Sequence, residues 1–71
     1  MLSKDEFTKK IARRIKETRE KKSISQEELA DKAGLYRTYI GHLENARYSP
    51  SSYVLYRVAS ALGIKVSSLI D

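Results

Sequence analysis

The sequence predicts an all-α fold, a compact five-helix bundle, on three observations. Apolar residues recur at spacings of three and four, serines stand where helices would start, and glycines stand where they would stop. No stretch reads as a strand. The first helix runs from about Lys4 to Lys22, where Phe7, Ile11, Ile15 and Thr18 form one narrow stripe and the remaining face is charged. Ser23 and Ile24 break it. The second helix, about 25–33, takes Ser25 as N-cap with Glu28 three places on, a capping box that satisfies two orphan amides reciprocally. Ile24 and Leu29 occupy the positions of a hydrophobic staple, and Gly34 supplies the positive φ of a sharp helix stop.

The third helix covers about Tyr36 to Asn45, and Ala46 to Pro50 form a loop. Ser51 then caps a fourth helix, about 51–62, with Leu55, Val58, Ala59 and Leu62 at i, i+3, i+4 and i+7 and Gly63 after its end. A short apolar helix closes the chain over about Val66 to Ile70. Residues 1–71 contain no repeat, linker or low-complexity segment and read as one domain.

Seventy-one residues lie near the lower size at which one core suffices without staples. Cysteine is absent, so helix packing must hold the fold, with a partner subunit as the available reinforcement. There is no apolar run of about 18 residues for a membrane span and no apolar leader at the N-terminus, which makes a cytoplasmic protein the expectation. The net charge is +5, and it is uneven. Residues 1–22 carry nine Lys or Arg against four acids, residues 23–34 total −2, and residues 35–71 total +2. That balance favours a polyanionic partner, nucleic acid or an anionic membrane, although a solvated helix face explains the first helix equally well.

Chemistry has little to work with. One histidine, no cysteine, no glycine-rich phosphate loop and no carboxylates clustered with a base argue against an enzyme, a metal site and a cofactor. Glu27, Glu28 and Asp31 lie on the first turns of one helix, where the helix dipole and solubility account for them.

Between the second and third helices the spacing is more particular. Gln26, Ala30, Gly34, Ile40 and Glu44 fit two short helices joined by a tight turn: Ala30 allows close packing, Gly34 turns the chain, and Ile40 plugs the second helix onto the core. This is the helix-turn-helix arrangement, whose second helix enters the major groove of DNA. Over about Ile15 to Leu69 the chain resembles the Cro/repressor-like helix-turn-helix family, also called the Xre family. The resemblance rests on Ser25-Gln26-Glu27-Glu28-Leu29-Ala30, Lys32-Ala33-Gly34-Leu35, Tyr39-Ile40, Leu43-Glu44, Ser49-Pro50-Ser51 and Ala59-x-Ala61-Leu62-Gly63. It implies a lambda-repressor-like bundle and DNA binding. Within the family, Arg37-Thr38-Tyr39-Ile40 on so short a chain is similar to the controller proteins of restriction–modification systems, a size that phage and plasmid repressors share.

Helical geometry sorts the third helix. Tyr36, Ile40, Leu43 and Glu44 are expected to face the core, and Arg37, Thr38, Gly41, His42 and Asn45 the opposite side. Arg37 can bond guanine O6 and N7 together, Thr38 can meet a thymine methyl or a polar edge, and His42 can donate or accept. The alternative for these three is ordinary exposed surface. Tyr39, at the edge of the face, suits either base contact or core packing. Gly41 costs roughly 1 kcal/mol against alanine inside a helix; either the backbone approaches DNA closely there or the glycine is a tolerated defect. The resemblance assigns phosphate contact to Gln26, and Tyr36, Asn45, Arg47 and Tyr48 are expected to meet the backbone as well, with the minor groove an alternative for Arg47. It also pairs Arg19 with Glu44 as a structural ion pair.

Family members commonly pair their C-terminal helices, and Ile64, Val66, Leu69 and Ile70 supply an apolar end for a homodimer interface, with Tyr53 and Tyr56 beside it. Some of these must also finish the monomer core. The reading is therefore a sequence-specific double-stranded DNA-binding transcriptional regulator, dimeric on a palindromic operator, with RNA polymerase a further partner if it activates. An antitoxin or protein-interaction module of the same fold is the alternative, and the short chain leaves little room for a toxin-wrapping tail.

Overall fold

The computed structural model describes residues 1–71. Five helices follow one another: α1 (Lys4–Lys21), α2 (Gln26–Ala33), α3 (Arg37–Glu44), α4 (Ser52–Leu62) and α5 (Ser67–Ile70). Each lies within a residue of the bounds expected at its ends, because Ser25, Tyr36, Asn45 and Ser51 are caps rather than helical residues. Three serines start helices by accepting a bond from the amide three places on: Ser3 from Glu6, Ser25 from Glu28 and Ser51 from Val54. Ser3 and Ser25 complete full capping boxes, and the bonds from Ser3 hold the Glu6 carboxyl below its ordinary pKa.

All four longer helices stop in the same way. A residue one or two places past each end turns left-handed, and the amide beyond it reaches back five positions: Ile24 to Arg19, Leu35 to Ala30, Arg47 to His42 and Ile64 to Ala59, at 2.9–3.3 Å. The left-handed residues are Ser23, Gly34, Ala46 and Gly63, so two of the four are not glycine. A left-handed alanine or serine is sterically costlier than glycine. At three of these stops the residue reaching back is Ile24, Leu35 or Ile64, each packed against the core. At the fourth it is Arg47, exposed.

The core gathers Ile11 and Ile15 of α1, Leu29 and Ala30 of α2, Ile40 and Leu43 of α3, Leu55, Val58, Ala59 and Leu62 of α4, and Leu69 of α5. The buried stripe of α1 is broader than its sequence spacing indicates, because Thr8 and Ala12 are buried while Phe7 and Thr18 lie at its edges. Two expectations need correcting. Tyr36 is 85% exposed and not core-facing: it precedes the first turn of α3, so extrapolating the helical face back to it fails. Leu69 is wholly buried in the monomer, so it serves the core and is removed from any dimer surface.

Arg57 of α4 fastens the helix-turn-helix from behind. Its Nε donates to the Ala33 carbonyl at 2.6 Å, an orphan carbonyl at the end of α2, and its Nη1 donates to the Tyr53 hydroxyl at 2.7 Å. The guanidinium lies where a Cβ on Gly34 would project, and Gly34 has φ of +70°. Gly34 is therefore required twice, for conformation and for room. Gly34→Ala is expected to lose at least ~1–2 kcal/mol from the left-handed conformation alone, read as a lower urea midpoint. An unchanged midpoint would show that Arg57 and the turn relax freely.

Candidate DNA-binding face

Three groups tie α1, α2 and α3 together at one point. Arg19 donates to Glu44 through both Nε (2.7 Å, to Oε2) and Nη2 (3.1 Å, to Oε1), a bidentate fork. Its Nη1 donates to the Ile24 carbonyl at 2.9 Å, immediately before α2. Gln26 Nε2 donates to Glu44 Oε1 at 3.0 Å. The Glu44 side chain is 2% exposed and that of Arg19 11%. The hydrogen bond to Glu44 raises the Arg19 pKa above its usual value, against the opposing effect of burial. Every buried side-chain polar atom has a partner. One arginine thus fixes the start of α2 and the end of α3 against α1, which sets the angle at which α3 is presented.

What α3 presents is polar. Gln26, Arg37, Thr38, Gly41, His42, Asn45 and Arg47 line one open groove that contains no hydrophobic residue. Arg37, Thr38, Asn45 and Arg47 are exposed, and Gln26, Gly41 and His42 are half-buried. Beside it the loop after α3 folds back, directed by left-handed Ala46. The Tyr48 ring stacks on Tyr39 at 5.8 Å between centroids and meets His42 edge-on at 5.3 Å. Such pairs contribute ~0.5–1.5 kcal/mol each, enough to bias a short loop toward one position. Tyr39 is half-buried against the core and does not line the groove itself.

The ends of α3 differ from those of its neighbours. Serines cap α1, α2 and α4, whereas α3 begins at Tyr36 with no side-chain cap. Its exit carries the exposed Arg47 where the other exits carry apolar anchors. The start of α3 is therefore left without a side-chain cap, and its exit carries an exposed cation.

The structure does not bring all the sequence-derived residues to this face. Ile64, Val66 and Ile70 lie half-buried at the α5 end, packed partly on the core. Arg57 had no signal in the sequence, because its partner carbonyl is 24 positions away. The bonds of Arg19 to Ile24 and of Gln26 to Glu44 were equally silent. No three His, Asp or Glu side chains gather in a way that could hold a metal ion, and no helix is long and apolar enough to cross a membrane.

A five-helix bundle with this turn and this exposed helix defines a helix-turn-helix protein of the Cro/repressor type. The chain belongs to the HTH_3 helix-turn-helix family, whose model matches residues 15–69. It is 43% identical over 60 residues to an immunity repressor protein of Bacillus phage phi105, covering 84% of this chain and 42% of the repressor. The chain therefore spans less than half of that relative. The restriction–modification controller protein C.AhdI from Aeromonas hydrophila superposes with a TM-score of 0.85 at 35% identity, over 87% of this chain and 94% of that one. SinR, a master regulator for biofilm formation solved in complex with DNA, superposes with a TM-score of 0.81 at 37% identity, over 86% and 98%.

Proposed function

We propose that this protein is a sequence-specific regulator that binds an operator in double-stranded DNA, with residues 1–71 as one DNA-binding domain and α3 as its reading helix. The observation that carries the reading is the groove along α3 lined by six polar residues and Gly41, flanked by a helix start without a cap and an exit without an anchor. Arg37, Thr38, Gly41 and His42 face base edges in this reading, with Tyr39 at the margin. Tyr36, Asn45, Arg47, Tyr48 and the free N–H of Gln26 take the phosphates. Free amides and the positive end of the α3 dipole suit an anion at its start. The net charge of +5 adds attraction at long range. The likeness to C.AhdI and to the phi105 repressor supports a controller-type or phage-type role.

Selecting bound fragments from random DNA and titrating the winner in rising salt tests this. A regulator selects one half-site, and its affinity falls steeply with salt while its preference over unrelated DNA persists. Recovery of no preferred sequence would sink the assignment and favour the protein-interaction alternative.

The proposal includes a homodimer. One eight-residue helix covers half of an ordinary operator, and two half-sites one helical turn apart need two copies. Ile64, Val66 and Ile70 are the apolar residues left half-exposed at the α5 end once Leu69 is assigned to the core. Sedimentation at micromolar concentration should give a dimer, or a two-to-one complex once operator is added. A one-to-one complex with a single, non-repeated site would remove the dimer from the proposal.

A further inference from the structure

Gly41 is the glycine that the fold does not explain. Gly34 and Gly63 have positive φ, and Gly41 does not. A Cβ built on Gly41 meets a single neighbouring atom within 4 Å, Gln26 Oε1 at 3.9 Å, which is ordinary contact. Alanine would therefore fit, and it is the better helix former. Nothing in the folded monomer requires glycine at this position.

What the missing side chain leaves uncovered is the amide oxygen of Gln26. The orientation of that amide is fixed chemically. Glu44 is bound by the Arg19 fork, and its carboxylate can only accept, so the Gln26 atom that meets it must be the nitrogen. With Nε2 held at Glu44, Oε1 is left on the Gly41 side, at the wall of the polar groove. An oxygen acceptor cannot bond a phosphate oxygen, because neither carries a proton. It can accept from a base.

Building on the DNA-reading assignment above, we propose that Gln26 Oε1, pinned by Glu44 and left open by Gly41, reads an exocyclic amine in the major groove. The donor is adenine N6 or cytosine N4, the two groups that offer a proton there. In this reading Gly41 acts by omission, since a side chain there, beginning 3.9 Å from Oε1, would crowd a base edge approaching the amide oxygen. Gln26 is thus a reader through its oxygen while its remaining N–H stays free for a phosphate.

The test compares wild type, Gly41→Ala and Gln26→Leu on the selected operator, on operators with each half-site pair replaced in turn, and in thermal melts. Gly41→Ala should raise the melting temperature by roughly 4–8 °C while weakening operator binding at least about tenfold. Gln26→Leu should erase the preference at one base pair, again about tenfold, and leave the other preferences and the salt slope in place. The identity of that pair separates adenine from cytosine. N6-methyladenine or N4-methylcytosine placed there should reproduce the loss for wild type and add nothing for Gln26→Leu. Equal weakening on every sequence by Gln26→Leu, or unchanged affinity for Gly41→Ala, would overturn the proposal. Absence of any preferred sequence for wild type is a different result, and it strikes the DNA-reading assignment itself.

Discussion

Glu44→Ala is expected to lower folding stability by ~3–5 kcal/mol, the usual cost of removing one partner from a buried ion pair. Its size follows from what is stranded. Arg19, 11% exposed, would keep its charge and its bond to the Ile24 carbonyl but lose both bonds of the fork, while Gln26 would lose its only acceptor within the fold. A chain of 71 residues has a total stability of roughly 4–10 kcal/mol at ordinary values per residue. The substitution therefore removes a large share of it, and the melting temperature should fall by more than about 12 °C. Replacing both partners separates mechanism from mere disruption. Arg19→Met with Glu44→Leu discards the pair and its desolvation cost together, so the double variant should be more stable than Glu44→Ala alone. A Glu44→Ala protein with an unchanged urea midpoint would show that the pair does not hold the three helices. The surface pairs Lys9–Asp5 and Arg13–Glu17 give the contrast, since their side chains are 63–76% exposed and exposed pairs contribute little.

How much of this was legible in the sequence depends on how local each cause is. The start of α2 is set by Ser25, Glu28 and Ile24 within five positions, and the stops at Gly34 and Gly63 by a residue type that favours the left-handed region. The Ser3–Glu6 box is as local as that at Ser25 and should be read from the sequence in the same way. The stops at Ser23 and Ala46 have the same geometry as the glycine stops and no sequence mark, because serine and alanine carry no preference for it. Leu69 shows a different limit. An apolar residue at the end of a chain reads alike whether its own core or a second subunit covers it, and only the packing of α5 on the bundle decides. Tyr36 shows a third: a helical wheel holds inside the helix and fails one residue before it. At the face, the residues of α3 follow from periodicity, whereas the pairing of Arg19 with Glu44 comes through family resemblance alone. Nothing in the chain announces that Arg57 closes the end of α2 or that Glu44 orients Gln26, since 24 and 18 positions separate those partners.

Arg37→Ala should leave the fold intact and cripple recognition. Arg37 is exposed at the first turn of α3 and takes no part in the ion pairs of the fold, so stability should stay within about 0.5 kcal/mol of wild type. On DNA the expectation is different in kind. A bidentate arginine–guanine pair gives ~1–3 kcal/mol of discrimination, and the proposed dimer would use it twice, so operator affinity should fall between roughly 30-fold and 25,000-fold. Affinity for unrelated DNA should fall much less, by the loss of one charge per subunit. Arg37→Lys is the informative companion. Lysine keeps the charge but lacks the planar fork, so it should recover non-specific binding and the salt slope without recovering the preference for guanine. Should Arg37→Lys restore operator binding fully, or Arg37→Ala weaken every DNA alike, Arg37 would be a phosphate contact. The reading of bases would then fall to Thr38, His42 and the amide of Gln26.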